Sequence, residues 1–428
     1  MLIDGARRVG KSYIVEAFAK AEYKSYIIID FNNTTQQVRS IFTDYLYDLD
    51  TFFMYLGLIF NVKLEERHSL IVFDEVQVFP PARAAIKYLV KDGRFDYIET
   101  GSLVSINKNV KNIMIPSEEV RVSMFPMDFE EFLWAMGADN MMAYIKMQYS
   151  ARRPMGDDMH RKAMTLFRQY LIVGGMPKAV STYVATHDFA QADAVKRAII
   201  NLYRNDIQKY AEGEEARVTS IFDNIPSQLQ KHEKKFRLSE MKEGARMREY
   251  ANAFFWLNES MVANICYGAT EPSIGLSMKM ESSSLKCYMG DTGLLVSMAF
   301  DETTTVSESL FAKLMLGKLE INEGMIVENV VAQMLKASGH RLFFYSNYSK
   351  EAEDRMEIDF LIAKPDITSR HNISPVEVKS TKRYTITSLN KCISKFSSYL
   401  ATPYVIHTAD LKEADGIVFL PIYMTPLL

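Results

Sequence analysis

The chain has 428 residues, 48% hydrophobic and 24% charged, with 50 Lys and Arg against 53 Asp and Glu. This is ordinary globular composition in a length too great for one hydrophobic core, so two to four domains are expected. A net charge of -3 excludes a chain-wide electrostatic grip on nucleic acid and leaves room only for local basic patches. No apolar run approaches the ~18 residues of a membrane-spanning helix, and no signal peptide opens the chain, so a cytoplasmic protein is expected. Cys266, Cys287 and Cys392 show neither pairing nor metal-type spacing and read as buried reduced thiols.

Residues 1–136 alternate apolar strands with amphipathic stretches. MLID, YIIIDF, SLIVFDEV and DYIETGS read as short buried strands, which predicts an α/β unit with a parallel sheet covered by helices. The first strand runs into Gly5-Ala6-Arg7-Arg8-Val9-Gly10-Lys11-Ser12, a complete G-x-x-x-x-G-K-[ST] pattern, with a helix expected from Tyr13. Such a loop curls so that successive N–H groups and the positive end of the next helix face phosphate oxygens. Lys11 is expected to reach the β- and γ-phosphates of ATP, and the Ser12 hydroxyl to ligate Mg²⁺. Met1 lies only a few residues before Gly5, which suggests a late start or a base held by other means.

Ser69–Phe73 is an apolar strand that delivers Asp74 and Glu75 to its C-terminal end, where ligands sit in open α/β sheets. Asp74 would bind the metal's hydration shell, and Glu75 would orient or deprotonate the attacking water. The next strand ends in Thr100-Gly101-Ser102. Its hydroxyls are candidates to sense the γ-phosphate, with a plain strand-terminating turn as the alternative. Arg121 is a candidate to place positive charge on the transition state, or else a solvated surface arginine.

Residues 137–215 lack strand signals and read as a helical connector broken at Gly174-Gly175-Met176-Pro177. Residues 216–275 read as a compact helical segment with a basic centre formed by Lys231, Lys234, Lys235, Arg237, Lys242, Arg246 and Arg248. A DNA-facing helix uses such charges on phosphates. The interleaved Glu233, Glu240, Glu243 and Glu249 equally describe a solvated helix laced with i,i+4 pairs. Phe236, Phe254, Phe255 and Trp256 are expected to form its core.

From 276 the pattern changes to a helix near Met325–Ala337, strands around Phe343, Asp359, Glu377, Tyr404 and Phe419, and a helix near Ser388–Tyr399. Glu328 on the helix, Asp359 on one strand, and Glu377 with Lys379 on the next could converge. The two strand carboxylates would then hold a divalent metal, Glu328 would add a ligand and Lys379 would orient water. A structural ion-pair cluster is the alternative.

The ordered set GARRVGKS, FDEVQ, ETGS, FPMDFEEF, GGMP, DTGLL (Asp291–Leu295) and VEN…EIDF…VEVK resembles the bacterial and archaeal AAA-type predicted ATPases with a C-terminal domain of unknown function. That resemblance implies an AAA+-like P-loop core (1–136), a helical lid (137–215), a winged-helix-like segment (216–275) and a restriction-endonuclease-like domain (276–428). It assigns phosphate and metal binding to Gly10, Lys11 and Ser12, and metal and water to Asp74 and Glu75. Family members usually begin further upstream, so adenine recognition is not accounted for by this chain's first residues. The function expected is a Mg²⁺-dependent ATPase whose nucleotide state controls C-terminal DNA- or protein-binding domains, with oligomers possible. The alternatives are a nucleotide-switched binding module with little turnover and an ATP-gated, metal-dependent DNA nuclease.

Overall fold

The computed structural model describes residues 1–101, 119–231, 233–300, 308–316, 323–364, 371–381 and 383–428. The chain divides into two units, Met1–Phe125 and Pro126–Leu428. In the first, the four apolar runs become β1 (Leu2–Gly5), β2 (Ser25–Asp30), β3 (Ser69–Asp74) and β4 (Asp96–Gly101). A fifth strand, β5 (Arg121–Met124), completes a wholly parallel sheet of order β2-β3-β4-β1-β5. Helices α1 (Lys11–Glu22), α2 (Gln36–Asp44), α3 (Leu49–Phe60) and α4 (Pro80–Asp92) cover it.

β3 is buried along its whole length because both of its faces are covered. Ile71 and Phe73 pack with Phe42, Phe52 and Leu89, while Leu70 and Val72 meet Val15 and Ala19 of α1 on the opposite face. A five-stranded parallel sheet with helices on both faces fits the P-loop AAA+ fold.

The second unit begins with five helices: α5 (Phe129–Ala135), α6 (Asp139–Ala151), α7 (Asp157–Val173), α8 (Pro177–Thr186) and α9 (Phe189–Tyr210). Next come α10 (Glu215–Leu229), α11 (Met247–Glu259), the hairpin β6 (Ala263–Ala269) and β7 (Met280–Met289), and helices α12 (Thr292–Ala299), α13 (Glu308–Leu316) and α14 (Glu323–Ala337). The chain closes with β8 (Phe343–Asn347), β9 (Met356–Ala363), β10 (Ile373–Val378), α15 (Thr387–Phe396), β11 (Tyr404–His407), β12 (Lys412–Ala414) and β13 (Ile417–Pro421). Its sheet is mixed, in the order β12-β13-β11-β10-β9-β8-β6-β7. The boundary expected at 275/276 therefore falls between two paired strands of one hairpin.

The charge-rich centre near 230–246 is not the helix its spacing suggested. It holds turns and one short helical turn at Leu238–Glu240. Two local choices override helix propensity. The Phe236 amide donates to the Leu285 carbonyl on β7 at 2.8 Å, and Gly244 adopts φ +74. Phe236 and Phe254 meet edge to face in the core as expected, whereas Phe255 is 60% exposed.

Three of the motifs singled out above meet at one junction. Asp128 and Glu131 form a reciprocal cap on α5. Just before it, the Met127 amide donates to the Gly175 carbonyl at 2.7 Å, and the Tyr170 hydroxyl donates to the Met127 carbonyl at 2.9 Å. The Gly175 amide in turn donates to the Asp291 carboxylate at 2.6 Å, while the other oxygen of Asp291 caps α12 through Leu294. A Cβ on Gly175 would lie 2.1 Å from the Met127 oxygen, and one on Gly293 would lie 2.5 Å from the Val173 oxygen. The glycines are required there by close backbone approach.

Candidate functional site

The geometry at the carboxyl ends of β1, β4 and β3 follows from strand order. β4 lies between β1 and β3, so Thr100 stands between the phosphate loop and the acidic pair. The loop leaves β1 at Gly5, where a Cβ would sit 2.4 Å from the Met124 carbonyl oxygen of β5. It turns through Arg8 and Gly10, both at positive φ (71° and 99°), and enters α1 at Lys11. Ala6 and Val9 are buried and anchor the loop, while Arg7, Arg8, Ser12 and Tyr13 face outward.

Lys11 is buried, and its Nζ donates to the carbonyls of Gly5 and Ala6, each at 3.1 Å. Burial pulls its pKa below the usual lysine value, against the opposing pull of Glu75, Asp74 and Asp4. The Ser12 hydroxyl donates to Asp74 Oδ1 at 3.0 Å, and the Thr100 hydroxyl donates to the same oxygen. Thr100 also accepts the Glu75 amide at 3.2 Å. Glu75 takes a left-handed backbone (φ 54), and the Gln77 side-chain amide donates to its carboxylate at 2.5 Å. A non-glycine residue held at positive φ on a strand end is a recurrent mark of a functional site.

One hydroxyl and one carboxylate within hydrogen-bonding distance are the protein ligands Mg²⁺ needs when phosphates and waters fill its remaining positions. Ser12 and Asp74 fit that requirement. Sequence reasoning found the loop and the acidic pair but gave Thr100 only a sensing role, whereas its hydroxyl bridges Asp74 and Glu75. Arg121 begins β5 level with Leu2, and its Nε lies 2.7 Å from Asp4 Oδ2. It is thus engaged with the buried Asp4 and stands one carboxylate removed from Lys11. Ser102 lies outside the described residues. Sequence reasoning missed Arg83, which is buried on α4 and paired with both Glu99 and Glu119.

The second expected set is also brought together, with an addition. Glu328 of α14, Asp359 of β9, and Glu377 with Lys379 at the end of β10 share one region with Glu357 of β9. Lys286 of β7, with its side chain 1% exposed, lies inside it. Its Nζ is 2.8 Å from Glu357, 3.3 Å from Glu328 and 3.6 Å from Asp359. Lys234 and the Tyr288 hydroxyl also engage Glu328. Burial alone would raise the Glu328 pKa, but Lys234 and Lys286 outweigh it and bring the carboxyl to about 2. Burial and the neighbouring Asp359 push Glu377 up to about 7 despite its 2.7 Å contact with Lys379. In the basic stretch, Lys231 pairs with Glu240, Arg237 with Glu233, and Lys234 with Glu328.

Residues 1–133 match the family model described as AAA domain. Residues 164–305 match a domain of unknown function (DUF8612), and residues 323–424 match another (DUF4143). The chain thus joins a region that matches an AAA domain to C-terminal regions that match domains of unknown function, the arrangement of the AAA-type predicted ATPases it resembles. An AAA domain is a nucleotide-binding, ATPase-like module, and in the matched region of this chain the phosphate loop and acidic pair are both in place. No curated protein matches the chain in sequence. Among solved structures, the Orc1 protein of Aeropyrum pernix in complex with DNA is 10% identical with a TM-score of 0.24, covering 70% of this chain and 86% of that one. Cdc6p of Pyrobaculum aerophilum is 12% identical with a TM-score of 0.23, covering 74% and 88%. Likeness at that level carries no argument about what this chain binds. Among the described residues, no helix is long and apolar enough to cross a membrane.

Proposed function

We propose that the chain binds Mg·ATP at Gly5–Tyr13 and hydrolyses it, and that its nucleotide state controls DNA or protein binding by the second unit. The observation that carries the catalytic half is the Ser12–Asp74–Thr100–Glu75 network. One threonine hydroxyl there links a metal-type carboxylate to the backbone amide of the residue that carries the base-type carboxylate, beside the phosphate loop. On this reading Lys11 leaves the Gly5 and Ala6 carbonyls and turns to the β- and γ-phosphates, a short swing for a long, flexible side chain. Ser12 and Asp74 would hold Mg²⁺, which would neutralise charge on the phosphates. Glu75 takes the proton of the attacking water, and Gln77 holds its carboxylate in position. Arg121 acts through Asp4 by restraining the carboxylate nearest the start of the loop.

Phosphate release and binding of a fluorescent ATP analogue test this directly. Lys11→Ala should lose both activities. Glu75→Gln should keep binding and lose turnover by roughly 100-fold or more, the scale of removing one essential catalytic group. Equal turnover in wild type and both variants refutes the reading. Tight binding by a wild type that never turns over would leave a nucleotide-switched binding module in its place.

A further inference from the structure

We propose that Lys286 occupies the position of a divalent cation in the carboxylate cluster of the second unit, so that this cluster is a metal-free ion-pair site. The expected chemistry at Glu328, Asp359, Glu377 and Lys379 was metal-assisted, and three observations argue against a metal fitting there.

First, the ammonium already lies among the oxygens a metal would need. Lys286 Nζ is within 2.8–3.6 Å of carboxylate oxygens from Glu357, Glu328 and Asp359, drawn from one helix and one strand. A divalent ion sharing those oxygens would sit against a buried positive charge, where repulsion is less screened than in water.

Second, most of the remaining oxygens are taken. Both oxygens of Glu328 are engaged, one by Lys234 and the other by Lys286 and the Tyr288 hydroxyl. Asp359 Oδ2 accepts the Val378 amide at 2.8 Å, and Glu377 Oε1 accepts from Lys379 at 2.7 Å. Glu377 Oε2 is the buried atom of the expected set that lacks a hydrogen bond. Mg²⁺ demands near-octahedral oxygen coordination, and one oxygen of that kind is far from a site. Among the described residues, no group of three or more His, Cys, Asp or Glu side chains is placed to hold a metal ion.

Third, Lys286 is built into the core. It is fully buried on β7 between Leu285 and Cys287, both buried, with its ammonium 5.1 Å from the Phe344 ring centre. Carboxylates of Glu328, Glu357 and Asp359 surround the ammonium and favour its charged form. The cluster ties α14, β7 and β9 together through side-chain charge, and metal-assisted phosphodiester cleavage is not its chemistry.

Uptake of Mn²⁺ by the nucleotide-free full-length chain, read from the loss of the free-ion EPR signal, tests the proposal. Wild type and Asp359→Asn should take up the same amount, showing that the cluster adds no site. Lys286→Met, which keeps the stem and removes the charge, should gain about one Mn²⁺ per chain and a thermal midpoint that rises with Mn²⁺. Uptake by wild type that Asp359→Asn abolishes overturns the proposal. So does a folded Lys286→Met that gains no Mn²⁺. If Lys286→Met fails to fold, the comparison of wild type with Asp359→Asn decides alone. Nucleotide binding at the first unit can fail or succeed without altering any of these outcomes.

Discussion

Gly175→Ala should be among the most damaging single-methyl substitutions in the second unit. The added Cβ would meet three backbone atoms of Met127, its oxygen at 2.1 Å, nitrogen at 2.8 Å and carbonyl carbon at 3.0 Å, and backbone cannot rotate aside. Overpacking of that kind costs ~1–3 kcal/mol. Any relief must also lengthen the 2.6 Å bond from the Gly175 amide to Asp291, a fully buried carboxylate. A hydrogen bond to a charged group contributes ~1.5–3 kcal/mol. The total is on the order of 3–6 kcal/mol. Gly339→Ala supplies the comparison: a Cβ there has nothing within 4 Å, so only its left-handed backbone (φ +91) opposes the change, at roughly 1–2 kcal/mol. Both tryptophans of the chain, Trp134 and Trp256, lie in the second unit, so their fluorescence in urea follows that unit alone. Gly175→Ala should lower the midpoint by roughly 1 M or more, well beyond the Gly339→Ala change. Equal midpoints for the two variants would refute the close-approach argument.

Two further outcomes follow from the first unit. Thr100→Val removes the hydroxyl that bridges Asp74 and the Glu75 amide while keeping the shape. Phosphate-release assays should show turnover falling about 10-fold or more, with fluorescent-ATP affinity changed far less, as expected when an orienting hydrogen bond is lost. Arg83→Met leaves two buried or nearly buried carboxylates, Glu99 and Glu119, without their shared cation, a loss of ~3–5 kcal/mol for a broken buried pair. Burial, reinforced by Glu119 and only partly offset by Arg83, raises the Glu99 pKa to about 7 from an unfolded value near 4.5. Its neutral form is thus the one the fold favours, and that contribution is complete below pH 4.5 and lost as pH rises through about 7. The Arg83→Met penalty, followed by far-UV circular dichroism during denaturation, should accordingly grow between pH 5 and pH 8. A penalty independent of pH would contradict it.

The strands β1 to β4 were legible because a strand covered on both faces must be almost continuously apolar. β5 was not, since Arg121, Val122 and Ser123 are exposed at the sheet edge and carry no pattern. Residues 230–246 misled through charge spacing alone. Their conformation is set by Phe236 binding to β7, a contact far away in sequence. In the candidate nucleotide site, the loop and Asp74-Glu75 could be read because phosphate chemistry restricts residue type and spacing tightly. Arg83 and Lys286 were invisible as functional or structural charges because long cations are normally solvated. A faint signal existed for both. Arg83 sits beside Ala82 and three residues before Ile86 on a buried helix stripe, and Lys286 lies in an apolar run from Leu285 to Met289.

The two carbonyl bonds made by Lys11 bear on how nucleotide arrives. The ammonium keeps the Gly5 and Ala6 carbonyls hydrogen-bonded, so the loop keeps its curvature while waiting. Incoming phosphate then competes with two weak internal partners and does not have to order a disordered segment. Capture should be quick and limited by encounter, and differences in affinity between nucleotides should show up mainly as differences in how long each one stays.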